Sequence, residues 1–132
     1  MPALVRNRSV PNITVSNADY ERLTDLATAS IERLPEVAEE LLSEMDRAKI
    51  VHDGSVPADV VCMGSTVTFR SDDGRELTET LVYPVDEDSD AHKISVMTPV
   101  GAALIGLAEG QSISWTARDG RRHELTVVKV KR

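Results

Sequence analysis

The chain has few of the residues that covalent, redox or metal chemistry requires. Cys62 is the only cysteine among 132 residues, so no disulfide can form within the chain. His52, His92 and His123 are too widely separated in sequence to make a local zinc motif. Aromatic residues make up only 3%, which implies an aliphatic core and leaves few platforms for stacking bases. Gly101 and Gly106 are not followed by the Lys-Ser or Lys-Thr of a phosphate-cradling loop, and they read better as points of close helix packing. The residues therefore call for no metal and no cofactor. With no signal-peptide pattern and no long apolar stretch, the expected compartment is the reducing cytoplasm, away from membranes.

What is present is an ordinary globular composition, 41% hydrophobic and 28% charged, at a length that suits one domain plus an appendage. The balance of 15 basic to 22 acidic residues gives a formal charge of −7, which repels nucleic acid over most of the surface and favours a protein partner. The exception is a basic cluster near the C-terminus, Arg118, Arg121, Arg122, Lys129, Lys131 and Arg132. It reads either as solvated turn charge or as an incidental nucleic-acid contact.

Helical signals come first. Ser16 can cap a helix, with Asp19 three residues on near its positive end, and Val15 and Tyr20 are spaced to staple the entry. Tyr20, Leu23, Ala27 and Ile31 then recur at three- and four-residue steps. Pro35 suits the first turn of a second helix with a matching stripe at Val37, Leu41, Met45 and Ala48, while Glu39, Glu40 and Glu44 are expected on its solvated face. The short link predicts an antiparallel helical hairpin, a short coiled coil, with arms of about fifteen residues and so about 20–25 Å. The stretch around His52-Asp-Gly-Ser-Val-Pro57 reads as a linker, dividing residues 1–52 from 53–132.

From Val60 onward the period changes to two. Thr66–Arg70 and Glu76–Tyr83 flank an Asp73-Gly74 turn, Lys93–Met97 is a further strand, and Gln111–Thr116 and His123–Val130 flank Asp119-Gly120. Between them, Thr98 and Pro99 open a short helix through Leu107. Strands, one helix and more strands predict an α+β domain in which that helix lies on an antiparallel sheet. Cys62, among Val60, Val61 and Met63, reads as a buried structural thiol.

The run Thr80-Leu-Val-Tyr-Pro84, the acidic Asp86-Glu-Asp88 and Ser95-Val-Met-Thr-Pro-Val-Gly-Ala-Ala-Leu-Ile-Gly-Leu107 resemble the C-terminal domain shared by the Gre transcript-cleavage factors and the Rnk family. Thr98 replaces a Ser and Gln111 an Asp of the Gre form, while Leu81-Val-Tyr-Pro84, Ser95-Val-Met97 and the junction Glu44–Ala48 with Pro57–Val61 are closer to Rnk, the regulator of nucleoside diphosphate kinase. The resemblance covers roughly residues 12 to 130. It implies an FKBP-like domain behind a helical hairpin, docking on RNA polymerase at the rim of the secondary channel. By motif position, the implied contacts are Asp86, Asp88, Thr98 and Pro99.

In Gre factors a longer coiled coil carries acidic residues to a catalytic magnesium, where a carboxylate acts only within about 2 Å or through one water. Here Glu32 and Glu36 flank Arg33-Leu34-Pro35 instead of forming the Asp-Leu-Ser-Glu-like Gre tip. The expectation is a non-enzymatic transcription regulator that competes with Gre factors without stimulating cleavage, and that affects nucleoside diphosphate kinase indirectly. Two alternatives stand beside it: a true cleavage factor using Glu32 and Glu36, and a prolyl isomerase. An isomerase needs a largely aromatic pocket, but Tyr20, Phe69, Tyr83 and Trp115 lie on separate elements.

Overall fold

The computed structural model describes residues 11–132. Strand β1 (Thr14–Ser16) leads into helix α1 (Asn17–Ser30), and α2 (Pro35–Arg47) leads into β2 (Lys49–Val51). The Ser16 side chain accepts the Asp19 amide at 3.1 Å, the expected N-cap, and Pro35 opens α2 in the first turn. At 1.5 Å per residue the arms are each about 20 Å long. Both helices bury one stripe, Leu23 and Ala27 against Ala38, Leu41 and Met45.

The sequence reading missed one device at the base of this hairpin. β1 and β2 pair in parallel, Thr14 with Lys49 through Ser16 with Val51, so the chain enters and leaves the hairpin side by side. Three-residue strands carry too little alternation to separate from helix ends or linker.

The remaining strands are β3 (Thr66–Ser71), β4 (Glu76–Val82), β5 (Lys93–Ser95), β6 (Ser112–Thr116) and β7 (Arg122–Lys131), with α3 (Pro99–Leu104) between β5 and β6. They form one sheet in the order β5-β4-β3-β7-β6. The Asp73-Gly74 and Asp119-Gly120 turns fall where expected, and both glycines have positive φ. The expectation of an antiparallel sheet needs correction, because β5 runs parallel to β4, Thr80 opposite Lys93. The acidic segment after β4 carries the chain back before β5 starts, which no local pattern announces. The sheet curls, so that Ile94 of edge strand β5 and Trp115 of edge strand β6 line one shallow depression.

The fold is α+β, with a helical hairpin followed by a curled sheet and one short helix. One continuous cluster of buried side chains runs from Leu23, Leu41 and Met45 of the hairpin to Val67, Leu81, Leu104 and Val127. Two glycines permit this closeness. A Cβ on Gly101 would lie 2.1 Å from the Ser95 carbonyl oxygen, and one on Gly106 (φ +83°) would lie 2.8 Å from the Ile13 Cβ. The segment read as a linker is fastened: Val56 is buried, and the Arg132 guanidinium donates to the Val56 and Pro57 carbonyls at 3.2 and 2.5 Å.

Candidate docking surface

Tyr83 ends the β4 edge of the site, and Pro84 starts a single 3-10 turn, Pro84–Asp86, closed by the Asp86 amide donating to the Tyr83 carbonyl at 2.9 Å. Asp88 and Lys93 exchange two backbone hydrogen bonds, at 3.1 and 2.9 Å, and the Asp88 carboxylate accepts the Asp90 and Ala91 amides. His92 completes the return at φ 56°. The acidic loop thus has a fixed backbone and presents Asp86, Glu87, Asp88 and Asp90 to solvent around Val85, which is 89% exposed. Behind the loop, the Arg22 guanidinium of α1 sits 4.4 Å over the Tyr83 ring. Burial raises the Tyr83 phenol above its ordinary pKa, with Asp19 adding to the effect and Arg22 opposing it.

Thr98 and Pro99 lie at the far end of β5 from this loop. The Thr98 hydroxyl donates to the Ser95 carbonyl at 2.7 Å and accepts the Gly101 amide at 3.1 Å, so it is used within the chain as the cap of α3. Pro99, half-buried, faces outward into a cleft of ≈ 470 Å³. The structure therefore separates the four candidates into two places, the acidic pair before β5 and Thr98-Pro99 after it.

The opposite wall of that cleft is the hairpin tip. The turn is closed by Arg33 and Leu34 amides donating to the Ser30 carbonyl at 3.1 and 2.8 Å, and Arg33, Leu34, Pro35, Glu36 and Val37 all face the cleft. Glu32 and Glu36 are exposed, Glu36 bordering the cleft. The tip is therefore laid beside the second part of the chain, with α2 packed on α3. The third wall is the end of β6 and the start of the β6–β7 connection, Trp115, Ala117 and Arg118.

The basic cluster is divided in the same way. Arg118 borders the cleft, Arg121 pairs with Asp119 at 3.8 Å, and Arg122 begins β7. Trp115 stacks on His123 with ring centroids 4.9 Å apart, and His123 Nδ1 lies 3.2 Å from the Asp72 carboxylate. The Trp115 Nε1 is buried without a hydrogen-bond partner.

Two further expectations change. Glu44, placed on the solvated face of α2 by its spacing, is 4% exposed and takes the Arg47 guanidinium at 2.5 Å. Burial pushes its pKa up to about 7, with Arg47 pulling the other way and Glu40 adding to the rise. Arg47 also donates to the Pro11 carbonyl, so it is held from two sides. Cys62 is half-buried instead of fully buried, and desolvation raises its pKa, consistent with an unreactive thiol. Sequence reasoning passed over Leu34 and Trp115 as cleft walls. The available signals were a leucine where a helix cap is usually polar and the chain's one tryptophan on an edge strand.

Comparison with known proteins shows the family of the chain. The family described as "Transcription elongation factor, GreA/GreB, C-term" matches residues 56–132, and "Rnk N-terminus" matches residues 11–51. The "Regulator of nucleoside diphosphate kinase" of Escherichia coli is 38% identical over 123 residues, covering 92% of this chain and 90% of that protein. The chain belongs to the Rnk family. Its Gre-type part extends the kinship, since "Transcription elongation factor GreA" of Chlorobium phaeovibrioides is 33% identical over 109 residues, covering 81% of this chain and 66% of that one. The solved structure described as "Prokaryotic transcription elongation factor GreA/GreB from Nitrosomonas europaea" superposes with a TM-score of 0.73 at 38% identity, covering 92% of this chain and all of that one. This Rnk-family chain is a transcription factor related to the Gre factors, and the relatives it matches are named as a regulator and as transcription elongation factors. Among the described residues, no helix is long and apolar enough to cross a membrane.

Proposed function

We propose that this protein binds RNA polymerase at the rim of the secondary channel and competes there with Gre-type elongation factors without stimulating transcript cleavage. Residues 53–132 act as the docking domain, read as FKBP-like, and of the N-terminal part, residues 1–52, the hairpin Asn17–Arg47 acts as a short coiled-coil arm, residues 1–10 lying outside the described residues. Asp86 and Asp88 meet basic groups on the polymerase through a pre-formed loop, and Pro99 extends the contact while Thr98 holds it in place.

The observation that carries the reading is the hairpin itself. A Gre-type domain is joined to arms of about 20 Å whose tip lies beside the domain, so the Glu32 and Glu36 carboxylates are poorly placed to reach a distant metal, where direct or water-bridged coordination is required. A protein that occupies the entrance without supplying catalytic groups acts by exclusion. Any effect on nucleoside diphosphate kinase then follows from altered transcription, and contact of Arg118, Arg121 or Arg122 with nucleic acid is incidental to riding on the polymerase.

The test is displacement. A labelled Gre factor bound to polymerase should be released by this protein at stoichiometric excess, while cleavage of the nascent RNA in stalled complexes stays at its basal rate. Simultaneous binding of both proteins would contradict competition. Accelerated cleavage that disappears in a Glu32→Gln/Glu36→Gln variant would instead establish the cleavage-factor reading.

A further inference from the structure

The acidic loop is held at its two ends by different means. Its far end is tied to the sheet, where Asp88 and Lys93 exchange backbone hydrogen bonds at 3.1 and 2.9 Å. Its near end leaves β4 at Tyr83, whose carbonyl accepts the Asp86 amide at 2.9 Å and closes the first turn. Tyr83 lies beyond the residues of β4 that pair with β3 and β5, so the packing of its ring bears directly on the direction in which the loop starts.

That packing comes from the root of the arm. Asp19 and Arg22, three residues apart on α1, share one face of the helix. Asp19 accepts the Met63 amide at 3.2 Å, and the two residues after Met63 are bonded to β4: the Gly64 amide donates to the Leu81 carbonyl at 2.7 Å and the Leu81 amide to the Ser65 carbonyl at 2.9 Å. Two residues further along β4, the Arg22 guanidinium lies 4.4 Å from the centroid of the Tyr83 ring. The start of α1 thus brackets the end of β4 from which the loop springs. The Tyr83 hydroxyl is buried without a hydrogen-bond partner, so the ring is held by its faces and not by its oxygen. Four carboxylates stand within a few residues of that ring, yet among the described residues no ion pair engages Arg22 or any of Asp86, Glu87, Asp88 and Asp90. Stacking keeps the guanidinium behind the loop and leaves the loop's charge free for a basic partner.

We infer that Arg22 is a positioning residue for polymerase docking: stacked on Tyr83, it sets the direction in which the loop 84–90 leaves β4 and couples the root of the arm to the loop's grip. This rests on the polymerase reading above and deepens it, because it gives the arm a part in docking through its base. A planar guanidinium suits the role, since it stacks on a ring face as a compact ammonium does not.

The full chain is titrated with RNA polymerase core enzyme, and the posture of the loop is followed in the free protein through the backbone amide resonances of Glu87 and Asp88. Arg22→Gln is expected to bind about three- to five-fold more weakly and to shift both resonances, with Arg22→Lys between it and the native chain. Charge alone predicts the opposite, because the substitution removes a cation beside a loop that attracts a basic partner; equal or tighter binding by Arg22→Gln would therefore overturn the inference. Tyr83→Phe keeps the ring and deletes only an unpartnered hydroxyl, so it should bind like the native chain. In a Tyr83→Leu background, Arg22→Gln should add no further loss. A full further loss there, or weaker binding of Arg22→Gln with both resonances unmoved, would mean that Arg22 touches the polymerase itself, and the inference fails while the polymerase reading stands. The resonances decide the matter even where Tyr83→Leu does not fold. Absence of any polymerase binding by the native chain would overturn both.

Discussion

Raising the pH from about 5 to about 8 is expected to weaken the fold through Glu44, and Glu44→Gln is expected to remove that part of the response. In the folded chain burial outweighs Arg47, so the carboxyl holds its proton up to about 7, whereas an ordinary glutamate releases it near 4.5. Across that window the unfolded chain has released a proton that the folded chain still carries, so the stabilisation is complete below 4.5 and is lost as pH rises through 7. At about 1.4 kcal/mol per pKa unit, the interval sets a ceiling of roughly 3 kcal/mol, reduced in practice by relaxation around Arg47. The glutamine is neutral throughout and can still accept from Arg47, so it keeps the guanidinium partnered. Urea unfolding of both proteins at several pH values isolates the effect, because every other carboxylate is shared between them. The variant should match the native chain near pH 4.5 and exceed it near pH 8 by up to that ceiling. Parallel curves would refute the reasoning, and a native chain that gains on the variant with rising pH would show that the Arg47 ion pair outweighs burial.

Gly101→Ala should destabilise the protein by about 3 kcal/mol or more, since the new Cβ meets fixed backbone at 2.1 Å; a thermal melt close to the native one would contradict the packing described. Thr98→Ala should cost about 1 kcal/mol by uncapping α3, with Thr98→Ser restoring most of it in the same melt. Asp86→Asn/Asp88→Asn should leave the melting temperature nearly unchanged, because both side chains are exposed, yet weaken polymerase binding and flatten its salt dependence. Equal salt slopes for native and variant would remove the electrostatic role assigned to the loop.

The helices, their Ser16 and Pro35 starts, the two Asp-Gly turns and the Thr98 cap of α3 were legible because each is encoded within a few residues. What escaped is non-local. The direction of β5 depends on where the acidic segment returns the chain, and the parallel pairing of β1 with β2 depends on the two hairpin ends meeting across more than thirty residues. Glu44 sits at a position that a helical wheel of α2 alone places toward solvent; it is buried in the folded chain, where Arg47 reaches both it and the Pro11 carbonyl. Of the candidate surface, motif position proposed Pro99 and the acidic loop, while the cleft forms where α2 lies on α3, with Leu34 and Trp115 both in its lining, which no local pattern announces.

The parallel clasp of β1 and β2 gives the hairpin the character of a cassette. Its two stems emerge next to each other, joined by the Lys49 amide donating to the Ile13 carbonyl at 2.9 Å and fixed to the domain by the Thr14 amide donating to the Gly106 carbonyl at 3.1 Å. Matched helical turns can be added beyond that clasp while the joined stems stay as they are, with the packing of α2 on α3 to be remade. Arm length is therefore a variable that the paired stems of this scaffold can tolerate.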